Sequence, residues 1–253
     1  MSRGKLYLIP VPLAEEAVAG SFTPQTIALI NEIDEYIVEN EKTARKMLKL
    51  AGIQRPQSEL ILHDFGKHAR GQAPAASFLK SIGAGRNVGL MSEAGCPGVA
   101  DPGAEIVAEA HRQGIQVVPL VGPSSILLAM MASGLNGQSF TFHGYLPIDK
   151  QQRSKRIKEL ERESTSKGQT HIMIETPFRN NALLEDLLKN LHPKSLLCVA
   201  VDLTGATEQI LTSSVHEWRM RQGMEKAEGQ GSDQRSKGPL DLHKRPAIFL
   251  FQG

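Results

Sequence analysis

Residues 87 to 120 read NVGLMSEAGCPGVADPGAEIVAEAHRQGIQVVPL and carry the pattern that indicates the fold class. An apolar strand (Asn87 to Glu93) enters a Gly/Pro-rich loop, and a helix (Ala104 to Gly114) then leads to a second strand (Ile115 to Leu120). Strands that alternate with helices of this length imply crossover connections, and therefore a mostly parallel sheet covered on both faces. The stretch predicts an α/β fold.

The residues before this stretch repeat the same alternation. Apolar runs predict strands at Leu6 to Val11, Tyr36 to Asn40 and Ser58 to Phe65. Helical spacing predicts helices at Thr23 to Asp34, Lys42 to Ile53 and Pro74 to Ser81. Thr23 is a plausible N-cap, and Gly52 lies just past the last turn of the second helix. The first half of the chain is therefore expected to be one α/β domain.

The second half alternates less regularly. A helix at Ser124 to Gly134 precedes the segment FTFHGYLP, and further elements are expected at Thr170 to Glu175, Asn181 to Leu191, Leu196 to Leu203, Glu208 to Ser214 and Pro246 to Phe251. A boundary near Gly137 divides the chain into predicted domains 1–136 and 137–253. The stretch from Arg219 to Lys244 is polar and Gly-rich, which favours a mobile loop.

Composition narrows the class of protein. The chain has 253 residues, 40% of them apolar and 22% charged, which is typical of a globular protein. No apolar run approaches the ~20 residues of a membrane-spanning helix, and the start lacks a secretory signal, so a cytoplasmic location is expected. Cys96 and Cys198 form no CxxC pair, which argues against structural zinc. The net charge of +2 does not by itself indicate nucleic-acid binding.

Two turns are candidate ligand sites. The run SEAGCPGVADPG (Ser92 to Gly103) follows a strand, and small residues there allow backbone amides to approach a ligand. In VVPLVGPSS, Ser124 and Ser125 open a helix, where hydroxyls and amides can hold a carboxylate or a ribose. Each turn alone could be a plain strand-to-helix connection or N-cap. Both are expected at the same end of adjacent parallel strands, which favours a site.

Several common site motifs are missing from the sequence. There is no GxGxxG after the first strand, no GxxxxGK[ST] and no GxSxG. Hydride transfer, nucleotide hydrolysis and serine hydrolase chemistry therefore lose support.

The order of motifs resembles the tetrapyrrole (corrin/porphyrin) methylase superfamily. The resemblance rests on LYLIPVPL, SEAGCPGVADPG, VVPLVGPSS, FTFHGYLP, IETPFRN and VAVDLTGATEQI, which together cover nearly the whole chain. FTFHGYLP followed by a basic segment and ETPFR is most similar to the branch of 16S ribosomal RNA ribose 2'-O-methyltransferase I. The resemblance implies two α/β domains, a parallel-sheet N-terminal domain and a mixed-sheet C-terminal domain. It also implies a homodimer and S-adenosyl-L-methionine in the cleft between the domains.

The resemblance also implies which residues contact the cofactor. From the first domain these are Leu13, Ala94, Gly95, Cys96, Val99, Ser124 and Ser125. From the second domain, Glu175, Thr176, Thr204, Pro246 and Ala247 are expected around the adenosine.

A general base would assist attack by a ribose hydroxyl, which is a poor nucleophile. The candidates are Glu39 and Asp64. Where this chain reads VENEKTARK, the ribosomal branch looks like an acidic pair followed by Thr and Arg. This chain keeps the glutamate, Glu39, but continues with Asn40, Glu41 and Lys42. The departure leaves both the acceptor and the base open.

The sequence gives weaker signals for the residues that contact the substrate than for those that contact the cofactor. The family places the loop with Lys67 and His68 near the acceptor, although a solvated surface role is at least as common for such residues. Basic residues at Lys150 to Arg162, and Arg219, Arg221, Lys226, Arg235 and Lys237, could neutralise phosphates. Interleaved Glu159, Glu161 and Glu163 equally suit a solvated helix face.

Three functions therefore stay open at this point. The first is methylation of a ribose in small-subunit ribosomal RNA, and the second is methylation of a tetrapyrrole precursor. The third is a catalytically inactive cofactor-binding protein, suggested by Asn40 and Lys42.

Overall fold

The computed structural model describes residues 3–66, 74–225 and 238–253. The chain divides into two compact units, Met1–Ser124 and Ser125–Gly253.

The first unit alternates strands and helices, as the sequence predicts. Its strands are β1 (Lys5–Ile9), β2 (Glu35–Val38), β3 (Ile61–Asp64), β4 (Val88–Met91) and β5 (Gln116–Pro119). Its helices are α1 (Val18–Ser21), α2 (Pro24–Glu32), α3 (Glu41–Leu50), α4 (Lys80–Gly83) and α5 (Gly103–Arg112). Short 3₁₀ turns lie at Glu15–Ala17, Gln57–Glu59 and Ala75–Leu79.

The five strands form a parallel sheet in the order β3-β2-β4-β1-β5. Every residue of β2 and β4 is buried, as expected for central strands with helices on both faces. One core cluster includes Ile9 and Tyr36, and another includes Leu6 and Ile37, so alternate strand residues fill the two faces. The predicted parallel α/β architecture of this half is confirmed.

Local sequence signals set the helix ends. Thr23 caps α2, as predicted, because its hydroxyl accepts the amide of Thr26 at 3.1 Å. Gly52, after α3, has a φ of +83°, the left-handed conformation that favours glycine.

The second unit contains five strands and four helices in its described part. The strands are β6 (Phe140–Tyr145), β7 (Thr170–Ile174), β8 (Leu196–Val201), β9 (Gln209–Ser214) and β10 (Ala247–Gln252). The helices are α6 (Ser125–Ser133), α7 (Lys150–Lys167), α8 (Asn180–Asn190) and α9 (Val215–Arg221).

This second sheet is mixed, in the order β6-β7-β10-β8-β9. β6 and β7 are parallel, whereas β10 runs antiparallel to both β7 and β8, and β9 runs antiparallel to β8. Its core joins α7 and α8 to the sheet through residues such as Leu160, Leu187 and Phe249. The predicted mixed-sheet C-terminal half is confirmed.

The prediction of a mobile loop from Arg219 to Lys244 is wrong for part of this stretch. Residues 219–221 belong to α9, whose Trp218 is fully buried and donates its indole N–H to the Leu197 carbonyl at 2.8 Å. Leu242 is also fully buried. Only a few apolar side chains anchor the two ends of this stretch. Its overall composition is polar, so composition alone does not reveal them. Lys226, Arg235 and Lys237 lie outside the described residues.

The two compact units divide after Ser124, before α6. The sequence instead predicts a domain boundary near Gly137, after α6. α6 packs against β8, β9 and β10, which is why compactness groups it with the second unit. Within the described part of the chain, no helix has both the length and the apolar character needed to cross a membrane.

Candidate functional site

The carboxyl ends of the first unit's strands lie along one edge of its sheet, because all five strands are parallel. The predicted Gly/Pro loop leaves this edge after β4, beside the segment that follows β1. Val11 and Gly95 exchange two backbone hydrogen bonds, of 2.9 and 2.8 Å. A Cβ built on Gly95 would lie 3.4 Å from Cδ2 of Leu13. The structure thus places Leu13 next to Gly95, the residue that follows Ala94.

Ser92 holds the start of the Gly/Pro loop. Its buried hydroxyl donates to the carbonyl of Gly95 at 3.0 Å. Gly95 has a φ of +75°, where a residue with a Cβ is disfavoured. The tight path of this loop therefore depends on both residues.

The strands before the two candidate turns are not adjacent as predicted, because β1 lies between β4 and β5. The turn after β5 nevertheless contacts the Gly/Pro loop. The thiol of Cys96 donates to the carbonyl of Pro123 at 3.4 Å. Burial, and secondarily the charge of Asp101, raises the pKa of Cys96, so the thiol remains protonated and acts as a donor. Gly122 has no room for a side chain, because its Cβ would lie 2.3 Å from Cβ of Pro10. Ser124 and Ser125 follow directly.

Asp101 is a structural residue of the loop that sequence reasoning missed. Its Oδ1 accepts the amides of Gly98 and Gly103, at 2.6 and 2.8 Å. The neighbouring Ala100 has a φ of +59°, and Val99 is 50% exposed. An Asp just before a helix is a recognisable signal for such a turn.

The two candidate bases lie at the same edge, on the other side of β4. The Glu39 carboxylate accepts the amide of Glu93 through Oε2 at 2.9 Å, which ties the end of β2 to the Gly/Pro loop. Asp64 is exposed, and its Oδ1 accepts the amide of Gly66 at 2.7 Å. A Cβ on Gly66 would lie 2.1 Å from the Glu39 carbonyl oxygen and 3.0 Å from Oδ1 of Asp64. The two segments are therefore in contact.

The departure after Glu39 has a local explanation. The side chain of Asn40 caps α3 by accepting the amide of Thr43 at 3.0 Å, and Glu41 pairs with Arg45 one turn later at 2.7 Å. These residues therefore cap and begin α3, directly after Glu39. Lys67 and His68 lie outside the described residues.

The predicted adenosine residues of the second unit also lie at one sheet edge. β10 is hydrogen-bonded between β7 and β8, with Ile248 opposite Ile174 and Ala247 opposite Val201. The amide of Asp202 donates to the Pro246 carbonyl at 3.0 Å, and that of Lys244 to the Pro177 carbonyl at 3.1 Å. This topology gathers the predicted residues Glu175, Thr176, Thr204, Pro246 and Ala247.

The Glu175 carboxylate contacts two neighbouring residues of its own turn. Its buried Oε1 accepts the amide of Thr176 at 2.6 Å and pairs with Nη2 of Arg179 at 2.7 Å. This carboxylate holds the turn after β7.

Thr204 combines two unusual features. Its φ is +68°, a strained value for a β-branched residue, and its amide is held by Oε2 of Glu208 at 2.7 Å. Its buried hydroxyl oxygen has no hydrogen-bond partner among the described residues. Such an orphaned polar atom suits a ligand group that would complete its hydrogen bond.

Backbone strain marks both edges. The described non-glycine residues with positive φ are Ala100, Asp202, Thr204 and Lys244. Ala100 lies in the Gly/Pro loop, and the other three lie at the second edge. Strained conformations cluster at functional sites, and in each unit they occur next to residues that the resemblance assigns to the cofactor.

Two predicted phosphate contacts have other partners. Arg219 donates to the carbonyls of Leu188 and Leu191 at 2.8 and 3.0 Å. The guanidinium of Arg221 lies 5.8 Å from the ring centroid of Trp218. Arg219 therefore fastens α9 to the end of α8, whereas the contact of Arg221 lies within α9.

Comparisons with known proteins identify what the chain is similar to. The family model described as Tetrapyrrole (Corrin/Porphyrin) Methylases matches residues 5–218. A ribosomal RNA small subunit methyltransferase I of Synechocystis sp. is 33% identical over 206 residues, which are 81% of this chain and 69% of that protein.

Solved structures share the fold. The methyltransferase CobJ superposes with a TM-score of 0.59 at 18% identity, covering 99% of this chain and 95% of the other. Uroporphyrin-III C-methyl transferase from Thermus thermophilus, complexed with S-adenosyl homocysteine, superposes with a TM-score of 0.56 at 16% identity, covering 98% and 97%.

Proposed function

Because this chain belongs to the tetrapyrrole (corrin/porphyrin) methylase family of S-adenosylmethionine-dependent methyltransferases, we propose that it methylates a ribose 2'-hydroxyl of small-subunit (16S) ribosomal RNA. The observation that carries the choice of acceptor is the 33% identity, over 81% of the chain, to a ribosomal RNA small subunit methyltransferase I.

Two features of the structure fit S-adenosylmethionine. The first-unit edge offers a loop with small residues at Ala94, Gly95 and Cys96, where a polar ligand can approach the backbone. The second-unit edge offers the unpartnered hydroxyl of Thr204 beside the exposed Pro246 and the buried Ala247. A nucleoside with a charged amino-acid tail needs a few polar groups among apolar walls. We propose that both groups of residues contact this cofactor.

S-adenosylmethionine, when bound, supplies a methyl group on a sulfonium, which already has a good leaving group. The protein's task is therefore mainly to position the acceptor. A base that takes the proton from the ribose hydroxyl would contribute about 10²-fold or more. Glu39 is the stronger candidate, because its carboxylate is held at the Gly/Pro loop by the amide of Glu93. Asp64 is the alternative base.

Tetrapyrrole methylation is the competing outcome. The solved structures of tetrapyrrole enzymes are below 20% identity, so they establish the fold and leave the acceptor open. The experiment is transfer of labelled methyl groups from S-adenosylmethionine to undermethylated small ribosomal subunits and, separately, to uroporphyrinogen. We expect label in the RNA alone. Label in the porphyrinogen alone would replace the proposed acceptor, and cofactor binding without any transfer would favour an inactive protein.

We also infer a homodimer that works with ribosomes in the cytoplasm. α6 is apolar on all sides, and its Leu127 and Met131, one turn apart, are 53% and 80% exposed. Exposed apolar side chains on such a helix are typical of a protein–protein contact. Light scattering on the purified protein should give twice the mass of the 27.6 kDa chain. The mass of a single chain would contradict the inference.

A further inference from the structure

The basic residues of α7 differ in what they contact. Arg153 forms an ion pair with Asp186 of α8, at 2.8 Å from its Nε, and both side chains are largely buried. Arg156 lies 3.4 Å from Glu159 and 3.8 Å from Glu163 on its own helix. These two arginines serve the protein's own structure.

The remaining glutamate of α7, Glu161, also has partners other than the lysines of the helix. Oε1 of Glu161 accepts the hydroxyl of Ser195 at 2.7 Å and the amide of His192 at 2.5 Å. Glu159 and Glu163 therefore pair with Arg156, and Glu161 contacts groups outside α7. None of the three forms an ion pair with a lysine of the helix.

Three cations remain on the outer face of α7. Lys155, Lys158 and Arg162 are exposed, and none of them forms an ion pair with any residue that the structure describes. Their spacing of three and four residues places them on one side of the helix, over a length of about 10 Å. The opposite side buries Ile157, Leu160 and Ser164. We call Lys155, Lys158 and Arg162 the α7 basic face.

We propose that the α7 basic face binds the phosphodiester backbone of the ribosomal RNA substrate. This inference rests on the proposed function and extends it, because it identifies a surface outside the two strand edges that holds the RNA. A polyanion fits this face because its three long cationic side chains are exposed and form no ion pair with the described residues. None of the exposed large apolar side chains of the described chain lies on α7, so an apolar protein anchor has little to bind there.

The test is a triple variant with a matched control. The triple variant removes the three charges of the α7 basic face by Lys155→Gln, Lys158→Gln and Arg162→Gln. Lys49→Gln, Lys80→Gln and Arg112→Gln remove two lysines and one arginine that are exposed on α3, α4 and α5. Binding to undermethylated small ribosomal subunits is measured over a range of KCl concentrations, together with KM, kcat, S-adenosylmethionine affinity and thermal unfolding.

We expect the triple variant to bind subunits at least about tenfold more weakly at low salt. The slope of log K against log[KCl] should fall by about 2, since each lost phosphate contact on a single strand contributes ~0.7. KM for subunits should rise, while kcat, cofactor affinity and the unfolding temperature stay at the wild-type values. The control variant should match the wild type.

Three results would overturn the proposal. Equal salt slopes and affinities in the triple and control variants would show that the face does not bind RNA. Weaker binding to intact subunits with unchanged binding to protein-free RNA would assign the face to a ribosomal protein. A wild-type enzyme that neither binds nor methylates subunits would remove the proposed function itself, a result distinct from the first two.

Discussion

At Thr204 the backbone adopts a conformation that β-branched residues avoid, and the hydroxyl is buried without a partner among the described residues. Both features cost free energy in the absence of a ligand. Neither can be predicted from the letters VAVDLTGATEQI, because φ and the burial of one oxygen depend on how β8, β9 and β10 meet. The motif resemblance located this residue, and the structure supplies the physical reason to assign it a binding role.

Substitution of Thr204 should separate stability from binding. Thr204→Ala removes a buried hydroxyl that has no partner in the folded chain, so we expect the free energy of unfolding to stay equal or rise by about 1 kcal/mol. Affinity for S-adenosyl homocysteine should fall about fivefold to tenfold, the value of one hydrogen bond. Thr204→Ser keeps the hydroxyl and should bind like the wild type. Calorimetry measures the affinities, and equal binding by both variants would contradict this role.

The two acidic side chains at the first edge should differ in their effect on catalysis. Glu39→Gln keeps an oxygen for the amide of Glu93 and should fold normally. If Glu39 is the base, this variant should lower the single-turnover rate by about 10² to 10⁴-fold. Asp64→Asn should then stay near the wild type, and cofactor affinity should not change in either variant. The reverse pattern would assign the proton transfer to Asp64.

His143 of β6 should make stability depend on pH. Its Nε2 lies 2.7 Å from Nδ1 of His171, and burial, followed by the charges of His171 and Arg156, lowers the pKa of His143 to about 4. The pKa of His171 is also lowered, by burial first, although Glu163 acts in the opposite direction. The unfolded chain therefore binds more protons than the folded chain at mildly acidic pH, so stability falls as pH drops from the ordinary histidine range toward the lowered pKa values.

His143→Gln removes one of these titrating groups and can still hydrogen-bond to His171. Urea unfolding at pH 7 and pH 5 should show a smaller loss of stability in this variant than in the wild type. An equal loss would show that other groups dominate the acid response.

At the scale of helices and strands, the ion pair between α7 and α8 shows why a run of basic residues does not by itself indicate phosphate binding. Arg153 belongs to a basic run that suggested phosphate contacts, yet its side chain is only 12% exposed and pairs with Asp186, which is 5% exposed. Whether a cation faces solvent or a neighbouring helix depends on tertiary packing. The sequence pattern leaves that choice open.

Breaking this pair should be costly. Arg153→Met leaves the Asp186 carboxylate buried without its partner, and we expect a loss of about 3 to 5 kcal/mol in the free energy of unfolding. The double variant Arg153→Met with Asp186→Leu should recover much of this loss, since a buried apolar pair replaces a buried charge. Denaturant unfolding measures both, and a single variant as stable as the wild type would contradict the structural role of Arg153.

The helices and strands themselves were largely predictable. Periodicity located the strands of the parallel sheet and its larger helices, because local patterns record which face is buried. The mixed pairing of the second sheet was less accessible, since the place of β10 between β7 and β8 is a contact between residues far apart in sequence. α9 was missed because its seven residues are mostly polar, with Val215 and Trp218 as its buried anchors.

At the scale of the whole molecule, the parallel first sheet and the mixed second sheet match the family, and each unit gathers its predicted residues at one strand edge. Sequence reasoning placed the cofactor residues by resemblance. It could not identify the supporting roles of Ser92 and Asp101, whose hydrogen bonds to the Gly/Pro loop require the folded geometry. The α7 basic face likewise emerges only when the partners of each glutamate are known.

Transfer of a methyl group to a ribose of small-subunit ribosomal RNA is the activity proposed for this chain. The most direct measurement is mass spectrometry of nucleosides from undermethylated small subunits, treated with the purified protein and isotope-labelled S-adenosylmethionine. We expect label in one 2'-O-methylated nucleoside, and far less label after treatment with the Glu39→Gln variant if Glu39 is the base. Label on a base, or RNA that stays unlabelled while another acceptor gains the methyl group, would contradict the proposed activity.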